Sequence, residues 1–98
     1  MVQINWTFQE QSDLKSIGEY IGKDSKKYAR LQIIKLRNRT KILHTQIYSG
    51  KSVPEISHPD IRELIEGNYR IIYKILNNQR VDILTVHHSA RNLKAENL

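Results

Sequence analysis

Ile61-Arg62-Glu63-Leu64-Ile65-Glu66-Gly67-Asn68-Tyr69-Arg70-Ile71-Ile72-Tyr73-Lys74-Ile75-Leu76 is the stretch that decides the fold. Two runs rich in β-branched and aromatic residues flank Gly67-Asn68, a two-residue hairpin turn signal. A loop of that length pairs Glu66 with Tyr69 and Leu64 with Ile71. Leu64, Tyr69, Ile71, Tyr73 and Ile75 then share one face, while Glu63, Ile65, Arg70, Ile72 and Lys74 share the other. The first set is apolar and is expected to lie under a covering layer. The second set mixes charge with apolar residues. It is expected to stay open and receive a partner, since an antiparallel sheet can leave one side in water.

Working outward, Asn77-Asn78-Gln79 is another turn signal and Val81–His88 reads as a third strand, completing a meander with Ile61–Glu66 and Tyr69–Leu76. Upstream, Gly50 to Pro59 reads as a loop or a broken strand, because Pro54 and Pro59 cannot donate to a ladder. Before it, Ala29, Ile33, Leu36, Thr40, Leu43 and Ile47 recur at spacings of three and four, which predicts a helix of five turns fraying near Ile47. Leu31, Ile34 and Ile42 are expected to widen its buried stripe. Asp24 or Ser25 supplies the N-cap. An earlier helix begins at Gln9 and places Leu14, Ile17 and Ile21 on one face, with Tyr20 beside it. Its first turns carry Glu10 and Asp13, where the helix dipole favours anions. At the N-terminus, Val2, Ile4 and Trp6 alternate with polar residues as a short strand. The predicted order is β-α-α-β-β-β. This is an α+β fold with a helical hairpin on one face of a small, mainly antiparallel four-stranded sheet, since neither layer can bury its apolar side alone. The tail after Arg91 reads either as a short C-terminal helix or as a segment that orders only with a partner.

The 98 residues make one domain, 1–98, with room for a single modest core. A composition of 39% hydrophobic and 27% charged residues is that of a soluble globular chain. No cysteine is present, which excludes disulfides and thiol chemistry and suits a reducing cytoplasm. No apolar run approaches the roughly 20 residues of a membrane span, and the N-terminus is not a signal peptide. The net charge of +6 is uneven. Between Ser25 and Pro54 stand Lys26, Lys27, Arg30, Lys35, Arg37, Arg39, Lys41 and Lys51, with no Asp or Glu. Such a band points to an anionic partner or to a solvated face.

Arg62, Arg70, Arg91 and Lys74 could cluster with Glu55 and His88 near the sheet. In such a set a carboxylate or imidazole would take a 2′-hydroxyl proton from RNA, and arginines would stabilise the phosphorane. The competing reading is an ordinary cross-strand ion pair between Arg70 and Glu63. His87 and His88 point to opposite faces of a strand and cannot chelate one ion, so no metal is expected. Gly18, Gly22, Gly50 and Gly67 are isolated and make no phosphate loop, and no cofactor is implied. Tyr69 and Tyr73 fall on the core face. Tyr48, beside the end of the basic helix, is the better stacking candidate, and Trp6 reads as a core or edge anchor.

The chain resembles the RelE/ParE superfamily of toxins from bacterial type II toxin–antitoxin systems. The residues that carry the resemblance are the opening strand ending in Trp6, Asp13-Leu14, Ile17-Gly18-Glu19-Tyr20-Ile21 and Gly50-Lys51-Ser52-Val53-Pro54-Glu55. Further on come Arg62-Glu63-Leu64, Gly67-Asn68-Tyr69-Arg70-Ile71-Ile72-Tyr73, Val81-Asp82-Ile83-Leu84-Thr85-Val86 and His88-Ser89-Ala90-Arg91. The spacing is closer to the ParE branch. That branch implies a growth-arresting toxin that inhibits DNA gyrase, blocks replication and is neutralised by a cognate acidic antitoxin. The resemblance also makes a homodimer or a toxin–antitoxin heterotetramer plausible. The other branch implies a RelE-like, ribosome-dependent mRNA endonuclease, in which Glu55, Arg70 and His88 would be catalytic. No Tyr follows Tyr73 and the end of the tail offers only Lys94 as a cation, so the resemblance leans away from an enzyme. The cations offered to a target or antitoxin are Arg62, Arg70, Lys74, His88 and Arg91 around the sheet. On the second helix they are Arg30, Arg37 and Lys41.

Overall fold

A computed structural model describes residues 1–89. Among them the elements run β1 (Gln3–Trp6), α1 (Phe8–Gly22), α2 (Lys26–Thr40), a 3₁₀ turn (Lys41–His44), β2 (Lys51–Ser52), β3 (Ile61–Glu66), β4 (Tyr69–Asn77) and β5 (Arg80–His88). They form one sheet in the order β1-β5-β4-β3-β2, antiparallel except for β1 on β5. The expected β-α-α-β-β-β order holds, with one strand more than expected. Lys51-Ser52, inside the segment read as a loop or broken strand, pairs with Glu63 and Arg62 before Pro54 ends the ladder.

Leu64 pairs with Ile71 and Glu66 with Tyr69, the register set by the two-residue turn. Gly67 has a φ of +57° and is the only described residue with positive φ, so the turn follows the pattern with glycine at its first central position. Leu64, Ile71, Tyr73 and Ile75 from this hairpin join Val81, Ile83 and Val86 of β5 in the main core, against Leu14, Leu36 and Leu43 from the helical layer. Leu36 and Leu43 are essentially unexposed. Truncating either to Ala would cost about 2–5 kcal/mol.

Thr7 caps α1, its hydroxyl accepting from the Glu10 amide and donating to the Ile83 carbonyl at 2.6 Å. β1 pairs with β5 no further than Ile83, which leaves this edge of β5 uncovered beyond it. There the Val86 amide donates to Asp13 Oδ2 at 2.9 Å, and the Thr85 hydroxyl makes a short bond to the same oxygen. Asp13 thus fastens α1 to the sheet rather than serving mainly the helix dipole. Ser25 caps α2 through the Tyr28 amide.

Two expectations for α2 need correction. The α-helix stops at Thr40, where the chain tightens into the 3₁₀ turn. The Thr40 hydroxyl donates back to the Arg37 carbonyl, a local bond that competes with helix propagation. Leu31 and Ile34 do not widen the buried stripe; they are 46% and 47% exposed. Their positions lie on the side of α2 away from Leu36, with Tyr28 nearby at 62% exposure.

The far face of the sheet is not open as expected. Val53 folds over Ile61 and Ile72 as a second small core, with Ile56 and Leu84 packed against it. The Ile56 amide closes the covering turn on the Val53 carbonyl. Ile72 supplies the physical reason: a fully buried isoleucine on that face requires an apolar roof, and the segment after β2 provides it. The predicted C-terminal helix and Arg91 lie outside the described residues.

Candidate functional site

Of Glu55, Arg70 and His88, the structure brings the first two together and sets His88 apart. Arg70 lies on the far face and is 7% exposed. Its Nη1 and Nη2 donate to the two carboxylate oxygens of Glu55 at 2.6 and 2.8 Å, and its Nε donates to Glu63 Oε2 at 2.8 Å. These bonds, Glu55 first, raise its basicity further against the opposing cost of burial. The guanidinium is spent between two carboxylates, and Glu55 ties the roofing turn to β4. The ion pair with Glu63, read from the sheet face alone, is present. His88 pairs in register with Tyr69, and its ring meets the Tyr69 ring edge-on at 5.6 Å between centroids, whereas Arg70 pairs with His87. His88 and Arg70 therefore belong to opposite faces, and no acid–base pair spans them.

The remaining predicted cations divide into committed and uncommitted. Arg37 donates from Nε and Nη2 to the Glu10 carboxylate at 2.8 and 2.9 Å, and its guanidinium stacks 4.8 Å over Trp6. It serves the α1–α2 joint. Glu10 is buried, and desolvation outweighs Arg37 to raise its pKa. Lys74 is half-buried on the far face, in register with Asp82 and Ile61. Arg30 and Lys41 are exposed.

Arg62 turns to the helical side. Its Nη1 donates to the Gly50 carbonyl at 2.8 Å, its guanidinium lies 5.2 Å over the Tyr48 ring, and its Nε is buried with no hydrogen-bond partner. Beside it, the Gly50 amide donates to the Tyr73 hydroxyl at 2.9 Å, and that hydroxyl donates to the Ile47 carbonyl at 2.7 Å. A Cβ on Gly50 would sit 2.6 Å from the Tyr73 ring and 2.7 Å from the Glu63 carbonyl, so only glycine fits. Burial raises the Tyr73 pKa, and the hydroxyl remains a donor. Arg39 was legible only as one cation in the basic band. Its Nε donates to the Ile65 carbonyl at 3.1 Å, which carries the end of α2 onto β3.

On the outer side of the helical layer a shallow groove of about 480 Å³ runs between α1 and α2. Gly18, Gly22 and Ala29 line it, with Lys15, Lys23, Lys26 and Glu19 at its margin. Together with the exposed Tyr28, Leu31 and Ile34, it gives this layer an apolar surface among cations.

Comparison with known proteins adds a family. The model described as "ParE toxin of type II toxin-antitoxin system, parDE" matches residues 4–93. A solved chain from "Chromosomal ParDE TA system from P. aeruginosa" shares the fold at a TM-score of 0.72 and 20% identity, over 90% of this chain and 96% of that one. No curated protein matches the chain.

Proposed function

The chain belongs to the ParE family of toxins of type II toxin–antitoxin systems, and from that premise we propose that it arrests growth by inhibiting DNA gyrase rather than by cutting mRNA. The observation that supports this choice is the fate of Arg70. An arginine bonded to Glu55 and Glu63 has little left for a phosphorane, and His88 lies across the sheet from it. This placement counts against the nuclease reading, which asks Arg70 to hold a phosphate with His88 beside it. A toxin that acts by binding needs no such constellation.

Neutralisation falls to an acidic antitoxin segment laid along the helical layer. Its apolar residues would fill the Gly18–Gly22–Ala29 groove, and its carboxylates would meet Lys15, Lys23, Lys26 and Arg30. The far face is roofed by Val53 and Ile56, which leaves the hairpin as the better docking surface. A heterotetramer of two toxins and two antitoxins is the expected assembly.

Purified toxin added to a gyrase supercoiling reaction should inhibit it and trap the cleaved complex. In a translation reaction primer extension should find no new mRNA ends. Folded toxin that cuts mRNA and leaves gyrase untouched would reverse the assignment.

A further inference from the structure

Three other described arginines meet carboxylates: Arg37 with Glu10, Arg70 with Glu55 and Glu63, and Arg80 with Asp82. Arg39 and Arg62 do not. Each is held instead by a backbone carbonyl, Ile65 for Arg39 and Gly50 for Arg62. Among the described residues no carboxylate lies within ion-pair distance of either. Such anchoring fixes each guanidinium without neutralising it and leaves most of its donors uncommitted. Both lie close enough to the Tyr73 hydroxyl to oppose the effect of its burial. Ile65, whose carbonyl holds Arg39, follows Arg62 by three residues on β3, about 10 Å along the strand. Tyr48, 59% exposed, carries Arg62 against its ring.

We propose that Arg39, Arg62 and Tyr48 form a binding site for single-stranded nucleic acid, with the arginines on successive phosphodiesters and an unpaired base on the Tyr48 ring. The site lies apart from the α1–α2 groove and does not depend on gyrase being the target. One observation favours this ligand over an acidic peptide. The exposed ring face carries negative quadrupole density, which stacks with a base but gains nothing from a carboxylate. Arg62 gives one Nη1 bond to Gly50, and the rest of its fork can take a phosphate. Lys35, one turn before Arg39 on α2, extends the positive track.

Fluorescence anisotropy of the full chain tests this. The probes are a labelled single-stranded oligodeoxynucleotide, an RNA of the same sequence, the duplex and a polyglutamate peptide. Single strands should bind more tightly than the duplex or the peptide, and preference between DNA and RNA identifies the strand the site serves. Tyr48→Ala should weaken single-strand binding roughly 10-fold or more and leave duplex binding unchanged. Arg39→Gln should lower the slope of log affinity against log salt by about 0.7. Arg62→Gln should do the same. It also loses the Gly50 contact, so the first two variants carry the test if it fails to fold. Lys23→Gln, outside the site, should change the slope less than Arg39→Gln. Tighter binding of polyglutamate, or an equal effect of Lys23→Gln and Arg39→Gln, would overturn the proposal. So would full single-strand affinity in Tyr48→Ala.

Discussion

Arg70→Ala measures what the far-face network does. Glu63 is 3% exposed, and its Oε2 receives Arg70 Nε at 2.8 Å with Nη2 2.7 Å away. Among the described residues its other cation is Lys51, whose Nζ is 3.7 Å away on a side chain 67% exposed. A pair that exposed contributes at most about 1 kcal/mol. Breaking a buried pair costs about 3–5 kcal/mol, because the remaining charge stays desolvated. Lys51 and water entering the vacated space put the value near the lower bound, about 3 kcal/mol. For a domain of this size that corresponds to a fall in Tm of about 12–24 °C. Urea denaturation at neutral pH is the assay. The companion variant, Arg70→Met with Glu63→Leu, removes both charges and should recover most of the loss. A cost below about 1 kcal/mol for Arg70→Ala would refute the reasoning, as would a double variant no more stable than the single one. Function then follows on a folded protein: the double variant should still arrest growth, whereas a nuclease dependent on Arg70 would be silent.

Gly50→Ala forces a methyl against the Tyr73 ring and the Glu63 carbonyl and should cost about 1–3 kcal/mol or prevent folding, as read by thermal melting. Tyr73→Phe leaves the buried Gly50 amide without an acceptor, a loss of about 1–3 kcal/mol in urea. The raised Tyr73 pKa gives stability that is present below pH 10.0 and lost as the pH rises through the folded value, so the alkaline limb of unfolding should be flatter in Tyr73→Phe. Burial also raises the folded pKa of Glu10 above the ordinary glutamate value of 4.5, so its contribution to stability is full below 4.5 and declines as pH rises through the folded value. Relative to the wild type, Glu10→Gln should therefore fare better at pH 7 than at pH 5 in denaturant titrations.

Periodicity and turn signals carried the meander, the register of its first hairpin and the buried face that runs from Ala29 on α2 to Leu43 in the 3₁₀ turn. Each signal was local: a two-residue turn fixes pairing, and a 3.6-residue period fixes a face. What stayed hidden depended on contacts between distant segments. Alternation put Ile72 on the far face, but nothing in its neighbourhood announced that Val53 and Ile56 would cover it. Arg37 looked like one more cation in a basic band because its partner, Glu10, stands 27 residues away on another helix. Glu55, Arg70 and His88 fell at plausible distances in the sequence. Strand alternation alone left that register open: a three-residue turn at Asn77-Asn78-Gln79 would set His88 on the face of Arg70, whereas the observed two-residue turn and two offsetting register shifts set it with Tyr69. The two-residue β2 is too short for any periodic signal.

Counting charges by their partners changes what the +6 means. An internal ion pair removes one charge of each sign, so the excess stays with cations that have no carboxylate of their own. Arg37 and Arg70, both plausible ligand contacts by position, are used to hold α1 to α2 and the roofing turn to β4. The free excess lies instead on α2, on the margin of the α1–α2 groove, and at Arg39 and Arg62. An antitoxin along the groove and a nucleic-acid strand at Tyr48 would therefore draw on the same field from different places. Carboxylates bound in the groove should weaken strand binding even without touching the arginines, and added salt should diminish that coupling because it acts through screened charge. Steric competition would persist at high salt. Anisotropy titrations of the strand with an acidic helical peptide present, at low and high ionic strength, separate the two. Coupling that fades with salt is expected, and coupling that does not would put both ligands on one surface.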